Sequence, residues 1–158
     1  MRYLKLTLAY DGTNFAGWQW QPTQRTVQGH LEAAIREITD EETRVTSSGR
    51  TDAGVHAIGQ VVSWATRSKH STDVLLRGLN ATTPRDMAIQ QVEEAREGFH
   101  AIRDAISKRY RYLLYDDPIR DVFARHYVWQ LWQRLNVDAM REATQSLLGE
   151  HDFKSYET

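Results

Sequence analysis

The chain has 158 residues, 41% hydrophobic and 26% charged, and no cysteine; that is enough for a globular core and excludes a disulfide framework and thiolate metal sites. A formal net charge of −1 at pH 7 excludes a protein that coats nucleic acid over its whole surface, so any RNA site has to be a local basic patch. No apolar run approaches the roughly 20 residues of a membrane span, and Arg2 and Lys5 interrupt the first segment at once, so neither a spanning helix nor a signal peptide is expected and the predicted setting is cytoplasmic.

From Tyr3 to Tyr10 the residues alternate, with Leu4, Leu6, Leu8 and Tyr10 opposed to Tyr3, Lys5, Thr7 and Ala9, which predicts a half-buried strand. Asp11-Gly12 ends it in a turn. An aromatic loop follows with Phe15, Trp18 and Trp20; rings in such a loop can stack on bases, but Phe15 and Trp18 are read as core. Thr26 then caps a helix whose stripe is Val27, Leu31, Ala34, Ile35 and Ile38. Ile58 to Trp64, rich in β-branched and aromatic residues, reads as a strand. A second helix follows Ser71-Thr72-Asp73, burying Val74, Leu75 and Leu79, and stops near Thr83-Pro84 because the residue before proline disfavours helix. Met87 to Val92 is a weaker strand.

Between the polar segment Thr43 to Ser48 and the strand at Ile58 lies Gly49-Arg50-Thr51-Asp52-Ala53-Gly54-Val55-His56-Ala57. It reads as a loop joining two strands, with Gly49 and Gly54 free to take unusual torsions. With the backbone extended around Thr51, Arg50 and Asp52 lie on one side, so a guanidinium can hold a carboxylate or trade it for a phosphate. An ionised carboxylate is a competent nucleophile and a poor general acid. A surface ion pair of no functional consequence has the same spacing. His56 is a candidate for proton transfer, although one histidine beside a strand is usually structural.

Strand, helix, strand, strand, helix, strand is the ferredoxin-like order, an α+β fold whose antiparallel sheet has helices on one face and leaves the other open, as in RRM-like RNA-binding modules. Downstream, Ala105 to Tyr115 reads as a long strand with Tyr110, Tyr112 and Leu114 on one face and Arg109, Arg111 and Leu113 on the other. Arg103, Lys108, Arg109 and Arg111, with the single acid Asp104, form the best local basic segment for RNA. Arg125 to Leu131 reads as another strand. Asn136 caps a helix burying Val137, Met140, Thr144, Leu147 and Leu148, closed by Gly149. No repeat or low-complexity linker interrupts the chain, and residues 1–158 are expected to form a single α+β domain.

Gly49 to Ala57 resembles the signature of the TruA family of tRNA pseudouridine synthases. Tyr10 to Gln19, Thr26-Val27-Gln28-Gly29, Gly59-Gln60-Val61, Leu79-Asn80-Ala81, Arg109-Tyr110-Arg111-Tyr112 and Gly149 to Phe153 resemble further blocks in the family's order. The resemblance implies isomerisation of uridine to pseudouridine in the anticodon stem-loop region of tRNA, with Asp52 as nucleophile, Arg50 positioning and Tyr110 packing against the target base as a candidate for proton transfer. It also implies no cofactor and a homodimer, while RNA contacts from Lys108, Arg109 and Arg111 are expected from the local charge alone. In the family a second α/β half follows, forming the other wall of the cleft, so 158 residues alone are expected to be weakly active or inactive. Two departures stand out. Trp20 occupies a place where the family often carries a basic residue, and Phe99-His100-Ala101-Ile102-Arg103 displaces the family's arginine by one position, which on a regular strand turns it to the opposite face unless a bulge restores its direction, so no role is carried onto Ile102 or Arg103. The alternative reading is a noncatalytic RNA-binding module on a ferredoxin-like sheet, which gives no reason for an Asp in a Gly-flanked loop.

Overall fold

A computed structural model describes residues 1–156; Glu157 and Thr158, the end of the domain expected over 1–158, lie outside the described residues. The chain separates into two compact units, Met1–Lys108 and a second from Arg109 onward.

The first unit contains β1 (Arg2–Tyr10), α1 (Val27–Thr39), β2 (Thr46–Ser47), β3 (Ala57–Thr66), α2 (Thr72–Thr82) and β4 (Met87–Ala95). The sheet is antiparallel in the order β2-β3-β1-β4, the ferredoxin-like arrangement that the element order predicts. Period-two burial along β1 puts Leu4, Leu6, Leu8 and Tyr10 inside with Val62, Trp64, Ile89 and Val92. Against them lie Val27, Leu31 and Ile35 of α1 and Leu75 and Leu79 of α2, all fully buried, each worth about 1.5–3 kcal/mol of burial. Thr26 caps α1 by accepting from Gly29 N–H at 3.2 Å, and Asp40 ends it in the left-handed region (φ 56°), which a short polar side chain tolerates. Ser71 Oγ caps α2 by accepting from Val74 N–H at 3.3 Å. Val74 itself corrects the sequence reading: it is 42% exposed. One position before Leu75 on a helix is about 100° away from the Leu75–Leu79 line, at the margin of the buried face.

Two register shifts were not visible in the sequence. Leu8 pairs with Ile89 while Thr7 pairs with Gln91, so Gln90 is an extra residue; Gln90 and Gln91 both face out, and Ile89 and Val92 both face in. On the other side Leu8 pairs with Gln60 and Tyr10 with Ala57, which pushes Ile58 out to 77% exposure. Asn80 secures the β4 edge at its bulge: its side-chain amide donates to Ile89 C=O at 2.8 Å and its oxygen accepts from Ile89 N–H at 2.9 Å.

The face away from the helices is not bare. Ser63 alternates with buried Val62 and Trp64, and its Oγ accepts from Ala101 N–H at 3.2 Å, with Ala101 2% exposed. The segment carrying Ala101 is a hydrogen-bonded turn, with Asp104 N–H donating to His100 C=O at 2.9 Å and the Asp104 carboxylate taking Arg96 and His100 N–H. Ile102 and Arg103 therefore sit in a turn and not on a strand, and the face inversion predicted for a one-residue displacement does not arise.

In the second unit, β5 (Leu114–Tyr115) pairs in parallel with β6 (Trp129–Gln130), and α3 spans Val137–Thr144. The strand expected over Ala105–Tyr115 is confined to its last two residues, and that over Arg125–Leu131 to Trp129-Gln130. Alternation makes a strand only where a neighbour takes its backbone hydrogen bonds; Leu113 C=O accepts from Trp129 N–H at 2.7 Å, and among the described residues no strand pairs with 105–112. Asn136 caps α3 as expected, its Oδ1 accepting from Ala139 N–H at 2.9 Å. The predicted burial fails: Val137, Met140, Leu147 and Leu148 are all exposed, and α3 buries no residue. Among the described residues of its own unit, none of the apolar residues of α3 is buried against a second layer.

Candidate active site

The site is built on the loop between β2 and β3, and several of the sequence blocks named above meet there. At its start, Gly49 C=O accepts from Ser47 Oγ at 3.0 Å and from the Gln60 side-chain amide. Thr51 turns inward. Its carbonyl accepts from Trp18 N–H at 2.9 Å and its Oγ1 is 2.9 Å from the Tyr10 hydroxyl. Asp52 C=O then accepts from Val55 N–H at 3.2 Å, closing a turn in which Gly54 takes φ 79° and gives its N–H to Phe15 C=O at 3.2 Å. At the far end, His56 Nδ1 lies 3.1 Å from Gly12 N–H and 3.1 Å from Asp11 Oδ1. These two contacts call for opposite states of one nitrogen, a lone pair for Gly12 and a proton for Asp11. In either state His56 ties the loop to the turn after β1, which is a structural role.

The residues Tyr10 to Trp18 form the bed beneath the loop. Two glycines allow the approach: a Cβ on Gly17, which also takes φ 93°, would stand 2.7 Å from Thr51 C=O, and one on Gly12 would overlap the carbonyl of Val55. Phe15 and Trp18, 3% and 2% exposed, anchor the bed in the core, as the sequence suggested. Gln28 supports it from α1, its N–H donating to Trp18 C=O at 3.0 Å and its Oε1 accepting from Trp20 N–H at 2.9 Å. Arg25 stacks over the Phe15 ring at 4.0 Å and forms a two-armed pair with Asp86 at 2.7 and 2.8 Å. That guanidinium holds the Asp86 carboxyl below its ordinary range.

On this frame Thr51 is held by Tyr10 and Trp18 while Arg50 and Asp52 are both exposed. The expected ion pair is absent: among the described residues no salt bridge involves Arg50 or Asp52. Both tips stand in water, where such a pair gains little and loses side-chain freedom. Lys108 joins them, its Nζ 3.3 Å from where a Cβ on Gly49 would be. The remaining candidates belong to the second unit: Tyr110 is 74% exposed, and Arg109 and Arg111 are exposed. The residues that sequence reasoning missed are Tyr10, Asp11, Gly12 and Gly17. Their signal was the pair of glycines around Phe15, which marks a close backbone approach.

A groove of about 590 Å³ runs along α1, lined by Trp20, Glu32, Arg36 and Arg44 among others, but none of Arg50, Asp52 or Lys108 lines it. Its charges are mutually satisfied, Arg44 to Glu32 at 3.0 Å and Arg36 to Glu42 at 4.0 Å. Arg44 also stacks over Trp20 at 4.9 Å, which brings a cation to the indole standing where a basic residue was expected. Among the described residues no group of three or more His, Cys, Asp or Glu could hold a metal ion, and no helix is long and apolar enough to cross a membrane.

Residues 7–102 match the family model described as tRNA pseudouridine synthase, a span that covers the bed, the loop and the four-stranded sheet from Thr7 of β1 onward. Proteins named tRNA pseudouridine synthase A are similar along nearly the entire chain. The one from Moorella thermoacetica is 47% identical over 99% of this chain and 64% of its own length. The Bacillus subtilis protein is 47% identical over 97% of the chain and 63% of its own length, and that of Chloroflexus aurantiacus 48% identical over 100% and 57%. The chain thus spans less than two thirds of the relatives it matches. With the family match laid over the loop and the sheet that carries it, the chain belongs to the tRNA pseudouridine synthase family.

Proposed function

We propose that the chain carries the catalytic loop of a tRNA pseudouridine synthase acting on uridine in the anticodon stem-loop region, with Asp52 as the nucleophile. The reaction breaks the bond from C1′ to N1, turns the uracil and joins C1′ to C5; the proton on C5 leaves and N1 takes one up. No redox partner and no group donor enter, so the residues needed are a carboxylate, groups that hold the extruded base, and cations for the RNA backbone. Asp52 attacks C1′ or C6, or assists elimination at the sugar. Arg50 pairs with the RNA backbone beside it or fills the space of the flipped base, whose extrusion costs a few kcal/mol. Tyr110 packs on the base. Lys108, Arg109 and Arg111 contact phosphates, an electrostatic role that weakens with salt.

What supports this reading above all is the presentation of Asp52: an exposed carboxylate on a loop whose backbone is hydrogen-bonded at Gly49, Thr51, Asp52 and Gly54. Rigid backbone under a solvent-facing acid is what a nucleophile needs and what a phosphate-binding surface does not. The family likeness also supports a homodimeric assembly and a cytoplasmic setting. The test is tritium release from C5-labelled tRNA, alongside binding of the same RNA across a salt series. Asp52→Ala should abolish release and leave binding within about threefold, since an exposed side chain is removed; parent-like release from that variant removes Asp52 as nucleophile.

A further inference from the structure

We propose that Tyr10 is a positioning residue of the reaction, its phenol holding Thr51 through Oγ1 and thereby fixing the backbone from which the next residue, Asp52, is presented. The proposal rests on the reading of Asp52 given above.

Tyr10 ends β1 with its ring in the core, 4% exposed and edge-on to Phe15 at 6.2 Å between centroids. For packing alone a phenylalanine would serve. A phenol in that place brings a polar atom into the interior, which is tolerated when it finds a partner. The partner is Thr51 Oγ1 at 2.9 Å. Burial pushes the Tyr10 hydroxyl above its ordinary range, so it stays a neutral partner at any working pH.

The choice of Thr51 as partner is what links the contact to chemistry. Thr51 is β-branched, so holding its Oγ1 selects one side-chain rotamer and fixes the Cα–Cβ direction. Its carbonyl is held independently by Trp18 N–H at 2.9 Å. Two anchors of different kinds therefore converge on the residue before Asp52, and Val55 N–H on Asp52 C=O at 3.2 Å follows immediately after it. The Asp52 carboxylate contacts neither Tyr10 nor Thr51 by any hydrogen bond among the described residues. Tyr10 acts through the backbone and does not touch the reacting atoms.

The experiment compares Tyr10→Phe, Thr51→Val, the double variant and Thr51→Ser with the parent chain. Tyr10→Phe should lower the turnover of a uridine-containing stem-loop about tenfold while the half-saturating RNA concentration stays within twofold, because binding groups are untouched. Thr51→Val should do the same, the double variant no worse than the poorer single one, and Thr51→Ser, which keeps Oγ, should stay within threefold of the parent. Backbone amide order parameters at Asp52 and Ala53 should fall in Tyr10→Phe from the rigid value of about 0.85 while those of Leu6 and Val62 hold. Parent-like turnover in Tyr10→Phe, strictly additive effects, or equal changes in turnover and half-saturation overturn the proposal. Asp52→Ala in the same assay separates the two readings. If it is inactive and Tyr10→Phe is parent-like, only the role of Tyr10 falls; if it is active, the nucleophile assignment falls. If these 158 residues alone release no tritium, that matches the weak or absent activity expected of them, and the order parameters decide Tyr10, unchanged values overturning it.

Discussion

Gly12→Ala tests whether the bed and the loop are a single mechanical object. A Cβ on Gly12 would stand 2.5 Å from the carbonyl carbon of Val55, nearer still to its oxygen, and 3.0 Å from the carbonyl carbon of Gly54. These obstacles are backbone, so no rotamer change relieves them, and Gly12 does not take a positive φ, so torsional strain adds nothing. Ordinary contact begins at about 3.4 Å, which requires the loop to retreat by about 1 Å. Overpacking of that kind costs about 1–3 kcal/mol, and losing the Gly12 N–H bond to His56 Nδ1 adds about 1 kcal/mol. The urea midpoint should fall by on the order of 1–2 M. Tryptophan fluorescence is a suitable probe, since Trp18 and Trp64 are 2% and 1% exposed in the first unit. The control is Gly59→Ala, where the new methyl meets nothing within 4 Å; it should stay within about 1 kcal/mol of the parent, on the stabilising side through the unfolded chain. A displacement of about 1 Å at a catalytic loop lowers turnover about 100-fold, so tritium release should drop far more in Gly12→Ala than in Gly59→Ala. Coincident unfolding curves for the two variants would refute the reasoning.

Acid lability should centre on Arg25 and Asp86. The folded Asp86 carboxyl titrates below its ordinary value of 3.8, chiefly through its hydrogen bonds with Arg25, so its stabilisation is complete above that pH and lost as pH falls through the folded value; the urea midpoint of Arg25→Ala should decline less steeply below about pH 4 than the parent's, and equal slopes would discard the linkage. Tyr110→Phe should slow turnover more than it weakens RNA binding, compared by single-turnover rates and titration of the same stem-loop; the opposite pattern makes Tyr110 a stacking residue only.

The first unit was legible because its signals are periodic and locally consistent. Leu4, Leu6 and Leu8 needed a buried face, Val27, Leu31 and Ile35 needed another, and the order of elements left one topology that buries both. The bulge at Gln90 was hidden because Met87 to Val92 alternates correctly only up to Ile89; the extra residue that returns Val92 to the core is defined by its partner strand, not by its own composition. The strand expected over 105–115 shows the converse. Tyr110, Tyr112 and Leu114 alternate well, yet alternation states a preference for a sheet and cannot supply the neighbour, and Ile106, Tyr110 and Tyr112 end up 100%, 74% and 82% exposed. For α3 the cap was correct because Asn136 acts on its own helix, whereas the burial of Val137 and Met140 depended on a layer that the described unit does not contain.

At the site, spacing did not reveal partnership. Arg50 and Asp52 are both exposed, and among the described residues no salt bridge joins them; exposure at both tips is a condition no spacing encodes. The residues that hold the loop were harder to see because each has an ordinary local reading: Tyr10 an inward strand residue, Asp11-Gly12 a turn, Gln28 a polar residue in the first turn of a helix, Gln60 an outward strand residue. Their common purpose appears only when Thr51 Oγ1, Thr51 C=O, Gly49 C=O and His56 Nδ1 are each traced to the atom that meets them. Four polar groups of one short loop, supplied from β1, the turn after it, the bed and β3, leave the loop few ways to relax. The backbone that carries the Asp52 carboxylate is then fixed by the fold itself, with no ion pair to the guanidinium two residues away among the described residues.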